Sequence, residues 1–313
     1  IYYEQWDESL VSDPTPVIEI RDLYKSFGKL EVLKGVDICA RKGDVVALIG
    51  SSGSGKSTLL RCINLLENSQ QGDILFKGAP VVWQGDGLES RPADTKQVLR
   101  MRTNLSMVFQ QFNVWSQMTI LQNVMEAPVT VLGLPKDTAE TAARGYLEKV
   151  GIGEKCDAFP AQLSGGQQQR AAIARGLCMS PEALLFDEPT SALDPELQQE
   201  VIAVIKDLAS EGRTLVVVTH DLKLAADVAD HVVFLHLGRI EEEGPPATLF
   251  GAPKSQRLQQ FLSSTVAACT PTPNVKPRTD HEKSYPNHTR PSPDRRTGLC
   301  RIPRYPAHRG RER

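Results

Sequence analysis

Apolar and polar positions along the chain form two kinds of run, and the two alternate. Short, near-continuous apolar stretches occur at 44–49 (DVVALI), 183–186, 214–219 and 231–237. Runs of this length predict strands buried on both faces, as in a parallel sheet. Elsewhere apolar residues recur at helical spacing. Residues 56–67 place Leu59, Leu60, Ile63 and Leu66 on one face, which predicts an amphipathic helix. A second helix is expected after Asp194, with Leu197, Val201, Val204, Ile205 and Leu208 as its apolar stripe. Asp194 suits its N-cap, Pro195 its first position and Gly212 its stop. Residues 16–33 alternate in the manner of a hairpin that turns at Gly28 and Lys29. The stretch from about 111 to 179 reads as mostly helical and interrupts the strands, so a helical subdomain inserted into an α/β core is expected. No internal repeat is found, and no apolar run approaches the ~18–20 residues of a membrane span.

Composition adds one asymmetry. The 313 residues are 40% apolar and 24% charged with a net charge of −2, values of a folded globular chain rather than a collagenous or disulfide-stapled one. Residues 266–313, however, hold 11 Lys and Arg against 4 Asp and Glu, a balance of +7, so 1–265 carries 25 against 34, a balance of −9. That tail also has 8 of the 21 prolines and no apolar periodicity, and it is expected to be disordered. The acidic N-terminus lacks a charged-then-apolar leader, so no secretory signal is expected. Six cysteines, Cys39, Cys62, Cys156, Cys178, Cys269 and Cys300, form no C-x-x-C pair. Reduced thiols are expected rather than a zinc site, with Cys62 and Cys178 packed as small hydrophobes.

The chemistry begins at residues 50–57, GSSGSGKS, a match without mismatch to G-x-x-x-x-G-K-[ST] between a predicted strand and a predicted helix. The glycines let backbone N–H groups fold round phosphates, and the helix N-terminus adds its positive end. Lys56 is suited to the β and γ phosphates and the Ser57 hydroxyl to Mg²⁺. Kinases, GTPases, helicases and transport ATPases all use such a loop.

A second constellation narrows the choice. Asp187 and Glu188 end the buried run at 183–186, where ligands bind in an open α/β sheet. Asp187 suits a Mg²⁺ shell and Glu188 a general base that polarises the attacking water, although a D-E pair by itself is commonly a surface feature. About twenty residues earlier, LSGGQ at 163–167 opens a predicted helix over 168–178, so Ser164, Gly165 and Gly166 offer a second anion-binding helix start. Two anion nests in one chain suggest a nucleotide held between two surfaces. His220 follows the strand at 214–219, at the same expected sheet edge.

With these motifs in order, the chain resembles the ATP-binding cassette (ABC) transporter ATPases over about 17–262. The resemblance implies a P-loop NTPase (RecA-like) α/β core with an antiparallel β subdomain and the inserted helical subdomain. The expected organisation is an extension at 1–16, an ATPase domain at 17–265 with the helical part about 111–179, and a basic, Pro-rich tail at 266–313. The implied ligands are ATP and Mg²⁺. The resemblance assigns Gly50, Ser51, Ser52, Gly53, Ser54, Gly55, Lys56, Ser57 and Thr58 to the phosphates. Ser57, Gln110 and Asp187 are assigned to the metal, and Glu188, His220, Gln110 and Lys56 to catalysis. Gln111 stands beside Gln110 as a rival. Phe27, in KSFG, matches the aromatic that stacks on adenine; Tyr24 is its rival, and a core aromatic the plain alternative. Ser164, Gly165, Gly166 and Gln167 would reach the nucleotide of a second subunit in a head-to-tail homodimer, with Asp194 at the interface.

Several stretches (107–113, 121–128 and 239–244) resemble polar amino-acid uptake systems. An insertion at 82–98, with 113–119, resembles the histidine, lysine/arginine/ornithine and opine branch; a solvated loop without functional meaning is the plain alternative. The implied partners are two integral-membrane permease subunits and, through them, a periplasmic binding protein, at the cytoplasmic face of a bacterial inner membrane. Phe112, Val114, Trp115, Met118, Ile120 and Val124 are expected to divide between permease contact and subdomain core. One rival is a non-transport ABC ATPase acting on nucleic acid or ribosomes, for which only the basic tail speaks, and no specific nucleic-acid partner is expected; the other is a binding module that has lost hydrolysis, against which Glu188, Gln110 and His220 all stand. The tail departs from the family and is read as the product of a shifted reading frame or of an automated gene model more readily than as a functional segment.

Overall fold

The computed structural model describes residues 15–85 and 87–265. The expected tail at 266–313 and all but the last two residues of the expected 1–16 extension lie outside the described residues.

Strands β1 (Ile18–Phe27) and β2 (Leu30–Ala40) form the hairpin through Gly28 and Lys29, with Phe27 paired to Leu30. The second arm runs seven residues beyond the expected end, to Ala40. Next come β3 (Val45–Ile49), α1 (Lys56–Ile63), β4 (Gln71–Phe76), β5 (Ala79–Pro80), β6 (Trp83–Gln84), β7 (Arg91–Pro92), α2 (Thr95–Asn104) and β8 (Leu105–Val108). Three helices follow, α3 (Ile120–Thr130), α4 (Lys136–Lys149) and α5 (Gly165–Cys178), before β9 (Ala183–Asp187). The chain continues through α6 (Pro195–Ser210), β10 (Thr214–Val218), α7 (Leu222–Val228), β11 (His231–His236), β12 (Arg239–Gly244), α8 (Pro246–Gly251) and α9 (Gln256–Thr265).

The main sheet has the order β12-β11-β3-β10-β9-β8, with only β12 antiparallel to its neighbour. Every residue of β3, β9 and β10 is buried, because both faces are covered. Alternation divides the side chains between the two faces. Leu184, Phe186, Leu215 and Val217 pack with α3 to α6, whereas Leu185, Val216 and Val218 pack with α1 and the β1–β2 hairpin. A second, antiparallel sheet has the order β2-β1-β4-β5. The 82–98 stretch holds the small β6–β7 pair and the start of α2, whose N-cap Asp94 accepts from Lys96 N–H at 2.8 Å. Most of its described side chains are nevertheless exposed to solvent.

Two helix boundaries differ from the expected ones. The first helix stops at Ile63, not at 67, because Leu65 turns left-handed (φ 54°). Leu65 N–H donates to Cys62 O at 3.0 Å and Leu66 N–H to Arg61 O at 2.8 Å, the two bonds of a Schellman stop. Leu66 is consequently 42% exposed, off the apolar face on which periodicity placed it, while Leu65 is buried. Helix α5 starts at Gly165, three residues before the expected 168, because Ser164 and Gln167 close a capping box. At α6, Asp194 holds the N-cap position and Gly212 (φ 75°) follows the end, but the Asp194 carboxylate accepts no capping bond. Cys62 and Cys178 are buried as expected, and burial pushes their thiols up to about 12 and about 11.

Candidate nucleotide site

The parallel strands bring the predicted residues to one edge. In the sheet register Leu48, Val218 and Asp187 stand side by side near the C-terminal ends of β3, β10 and β9. Gly50, Glu188 and His220 therefore emerge together, and Gln110 follows β8 beyond β9 on the same edge. Glu188 N–H donates to Val218 O at 3.0 Å, which ties the turn after β9 to β10.

The loop at 50–57 is shaped by contacts that few residues tolerate. At Gly50, φ is 148° and a Cβ would lie 2.2 Å from Leu235 O, so only glycine lets the loop pass β11. The Lys56 ammonium is buried and donates to Gly50 O at 2.9 Å and Ser51 O at 3.0 Å. Burial lowers its pKa, and the carboxylates of Glu188 and Asp187 pull partly the other way. Ser51, Ser52 and Gly53 are exposed, Ser57 and Thr58 half-buried, and Ser54 and Gly55 buried.

Asp187 is 3% exposed, its Oδ2 lies 3.6 Å from Arg61 Nη2, and its Oδ1 is buried without a hydrogen-bond partner. A buried carboxylate oxygen lacking a donor fits a cation. Arg61 escaped the sequence reading; its place in the last turn of α1, ahead of β9 in space only, is visible once the two pack. Glu188 is held in a left-handed conformation (φ 49°), and its Oε1 lies 2.7 Å from His220 Nε2. A non-glycine residue in this region stores strain, a feature that clusters at functional sites. Phe27 is 47% exposed at the hairpin turn, so it is no core aromatic, whereas Tyr24 is half-buried.

The helical part carries the LSGGQ residues. Ser164 Oγ accepts from Gln167 N–H at 3.3 Å, while Ser164 N–H donates to Gln167 Oε1 at 3.0 Å. Ser164 is exposed, but Gly166 is buried, and a Cβ there would lie 3.2 Å from Leu197 Cβ. The second glycine thus serves close packing of α5 on α6, a role the anion-nest reading did not contain. Fully buried Gln169, also unread in the sequence, donates from Nε2 to Phe109 O at 3.3 Å, just before Gln110. Both Gln110 and Gln111 are exposed, and so is Asp194. Of the apolar residues after Gln110, Ile120 and Val124 are fully buried, Phe112 and Val114 pack partly against the core, and Trp115 is 41% exposed. Arg175 donates to Asn113 O at 2.7 Å with its guanidinium 5.3 Å from the Trp115 ring centroid.

Comparison with known proteins points to one family. The ABC transporter family model matches residues 33–191. The chain is 56% identical over 252 residues to the histidine/lysine/arginine/ornithine transport ATP-binding protein HisP of Escherichia coli K12, covering 80% of this chain and 98% of that one. It is 55% identical over 250 residues to the arginine/ornithine transport ATP-binding protein AotP of Pseudomonas aeruginosa, with coverage of 80% and 98%. It is 54% identical over 248 residues to the octopine permease ATP-binding protein P of Rhizobium radiobacter, with coverage of 79% and 95%. Among solved structures, the dimeric bacterial ABC transporter cassette MJ0796 superposes with a TM-score of 0.64 at 31% identity, covering 73% of this chain and 98% of that one. The alternating α/β core, the loop around Lys56 and these relatives converge: the chain belongs to the ABC transporter family.

Proposed function

We propose that the chain is the ATP-hydrolysing subunit that powers a bacterial importer of polar amino acids, of the class that carries histidine, basic amino acids or opines. The observation that carries the hydrolytic part is the clustering of Lys56, Asp187, Glu188 and His220 at one sheet edge, with Glu188 Oε1 2.7 Å from His220 Nε2. The transport part is supported by relatives 54–56% identical that are named for arginine/ornithine, histidine and octopine transport.

In this reading the loop from Gly50 to Thr58 cradles the triphosphate, Lys56 turns its ammonium from Gly50 O and Ser51 O to the phosphates, and Phe27 stacks on adenine. Asp187, Ser57 and Gln110 would hold Mg²⁺, which when bound would screen the phosphate charge. Glu188 takes a proton from the attacking water as the water oxygen bonds to the γ-phosphorus and the bond from that phosphorus to the bridging oxygen breaks; the bridging oxygen leaves with ADP, and phosphate is released. His220 orients Glu188 and reaches the γ-phosphate. A head-to-tail homodimer completes each site with Ser164, Gly165, Gly166 and Gln167 of the opposite subunit, and Asp194, free of a capping role, lines the interface. The apolar surface around Trp115 receives a membrane permease. Among the described residues no helix is long and apolar enough to cross a membrane, and the subunit is peripheral to the cytoplasmic face of the inner membrane through that permease pair, which in turn meets a periplasmic binding protein.

Reconstitution tests this reading. Co-expressed with a polar amino-acid permease pair, the chain is expected to show ATPase activity that rises on adding the ligand-loaded binding protein. Activity indifferent to the permease, with salt-sensitive binding to nucleic acid, would overturn it in favour of a non-transport role.

A further inference from the structure

Phe27 stands at the end of β1, and its ring is not free on both sides. The Lys25 ammonium lies 4.5 Å from its centroid. Lys25 is itself only 6% exposed, unusual for a lysine. Its Nζ lies 3.0 Å from Glu67 Oε2 and donates to Asn68 O at 2.7 Å. The ammonium therefore pairs with a carboxylate and donates to a carbonyl, and the ring face receives its remaining charge.

The neighbouring backbone is stitched to the same segment. Gln70 N–H donates to Tyr24 O at 3.0 Å, and Ser26 N–H donates to Gln70 Oε1 at 2.6 Å. Residues 67–70 follow directly on the Schellman stop of α1, and α1 begins at Lys56, the phosphate-loop lysine. The aromatic platform is thus fastened near one end of a helix whose other end carries the phosphate loop.

We propose that Lys25 is a positioning residue for the nucleobase: it fills one face of the Phe27 ring and leaves only the opposite face to receive a purine. This rests on the reading of Phe27 as the stacking aromatic. Two physical effects follow from the placement. The ring is oriented before ligand arrives, which removes part of the ordering cost of binding. The cation also draws on the π-cloud from behind, so the outward face is less electron-rich and better matched to a purine.

The test separates base from phosphate. Equilibrium binding of ADP and of pyrophosphate is measured for the wild type, Lys25→Met, Phe27→Ala and the double variant, with thermal melting as a fold control. Lys25→Met is expected to weaken ADP by roughly two- to thirtyfold, the range of a cation–π contact, and to leave pyrophosphate unchanged. In the Phe27→Ala background the same change is expected to add nothing, and Lys25→Arg to restore ADP binding. Equal loss of pyrophosphate, an unchanged ADP affinity, or a full further loss on top of Phe27→Ala would overturn the role of Lys25. An ADP affinity untouched by Phe27→Ala would instead overturn the stacking reading beneath it. If Lys25→Met does not fold, Glu67→Gln, which unties the same ammonium, is read by the same two ligands.

Discussion

His220 Nε2 lies 2.7 Å from Glu188 Oε1, a contact between the turns that leave the neighbouring strands β10 and β9. It holds the carboxylate that follows Asp187 while Glu188 itself sits in a left-handed backbone conformation. An oriented carboxylate at a sheet edge, beside a buried ammonium, is an arrangement suited to proton abstraction from water. Glu188→Gln keeps the shape and removes the base. ATP binding is expected to stay intact while turnover falls by roughly 10²- to 10⁴-fold. Phosphate release in a single turnover, set beside an ATP-binding measurement, checks this; wild-type hydrolysis would remove Glu188 from the role.

Lys56 links stability to pH through the burial of its charge. Burial lowers its pKa, with Glu188 and Asp187 opposing. Between that lowered value and the ordinary lysine value of about 10.4, the unfolded chain binds more protons than the folded one, so this group's contribution makes stability rise with pH across that window. Lys56→Ala is expected to abolish nucleotide binding and to lose that alkaline gain. Urea denaturation of both proteins over the same pH series reads the difference; parallel curves would show that the ammonium is not held in a costly place.

Two glycines of the phosphate loop give a contrast. A Cβ at Gly50 would meet Leu235 O at 2.2 Å, whereas at Gly53 (φ 77°) it would meet nothing within 4 Å. Gly53→Ala is expected to lose about 1–2 kcal/mol, the strain of a left-handed alanine. Gly50→Ala is expected to lose at least twice that or not to fold, because backbone must move. Comparable denaturation midpoints for the two would contradict the close approach to β11.

Asn123 shapes the loop before α3. Fully buried, it accepts from Trp115 N–H at 2.7 Å and donates to Trp115 O, Met118 O and Thr119 O at 3.0, 3.2 and 3.0 Å. Asn123→Ala strips Trp115 N–H and Met118 O of their partner, while Trp115 O keeps Met118 N–H and Thr119 O keeps the backbone N–H of residue 123, and it is expected to destabilise the fold by about 2–4 kcal/mol. Trp115 fluorescence should become more quenchable; an unchanged quenching curve would mean that the loop holds itself.

The basic tail lies beyond the packed end of α9. Leu258 and Leu262 of α9 pack against Phe234 and Leu249 in the core. Truncation after Ser264 keeps those contacts and is expected to preserve the melting temperature and the ATPase rate. A drop in either would give the tail a structural part.

The sequence carried much of this molecule in local patterns. Continuous apolar runs announced β3, β9 and β10, because a strand covered on both faces has no polar side to show. The loop from Gly50 to Ser57 was legible because its chemistry is local: a few consecutive backbone N–H groups, one lysine and one hydroxyl. The end of α1 was not legible. Leu66 continues the helical period, and only the left-handed turn at Leu65 ends it.

What tertiary structure decided is the set of partners. Periodicity says whether a side chain is buried, not what it meets. The order β3-β10-β9 sets Glu188 beside His220 and gives Lys56 its two carboxylates. Packing of α1 against the sheet brings Arg61 to one oxygen of Asp187 and leaves the other bare. The meeting of α5 and α6 makes Gly166 a matter of space. Each is a contact between residues far apart in the chain, specified by the joint burial of whole elements rather than by any local run. The sequence by itself therefore determined which chemical groups this protein owns and the elements that carry them, and the fold determined which of those groups face one another.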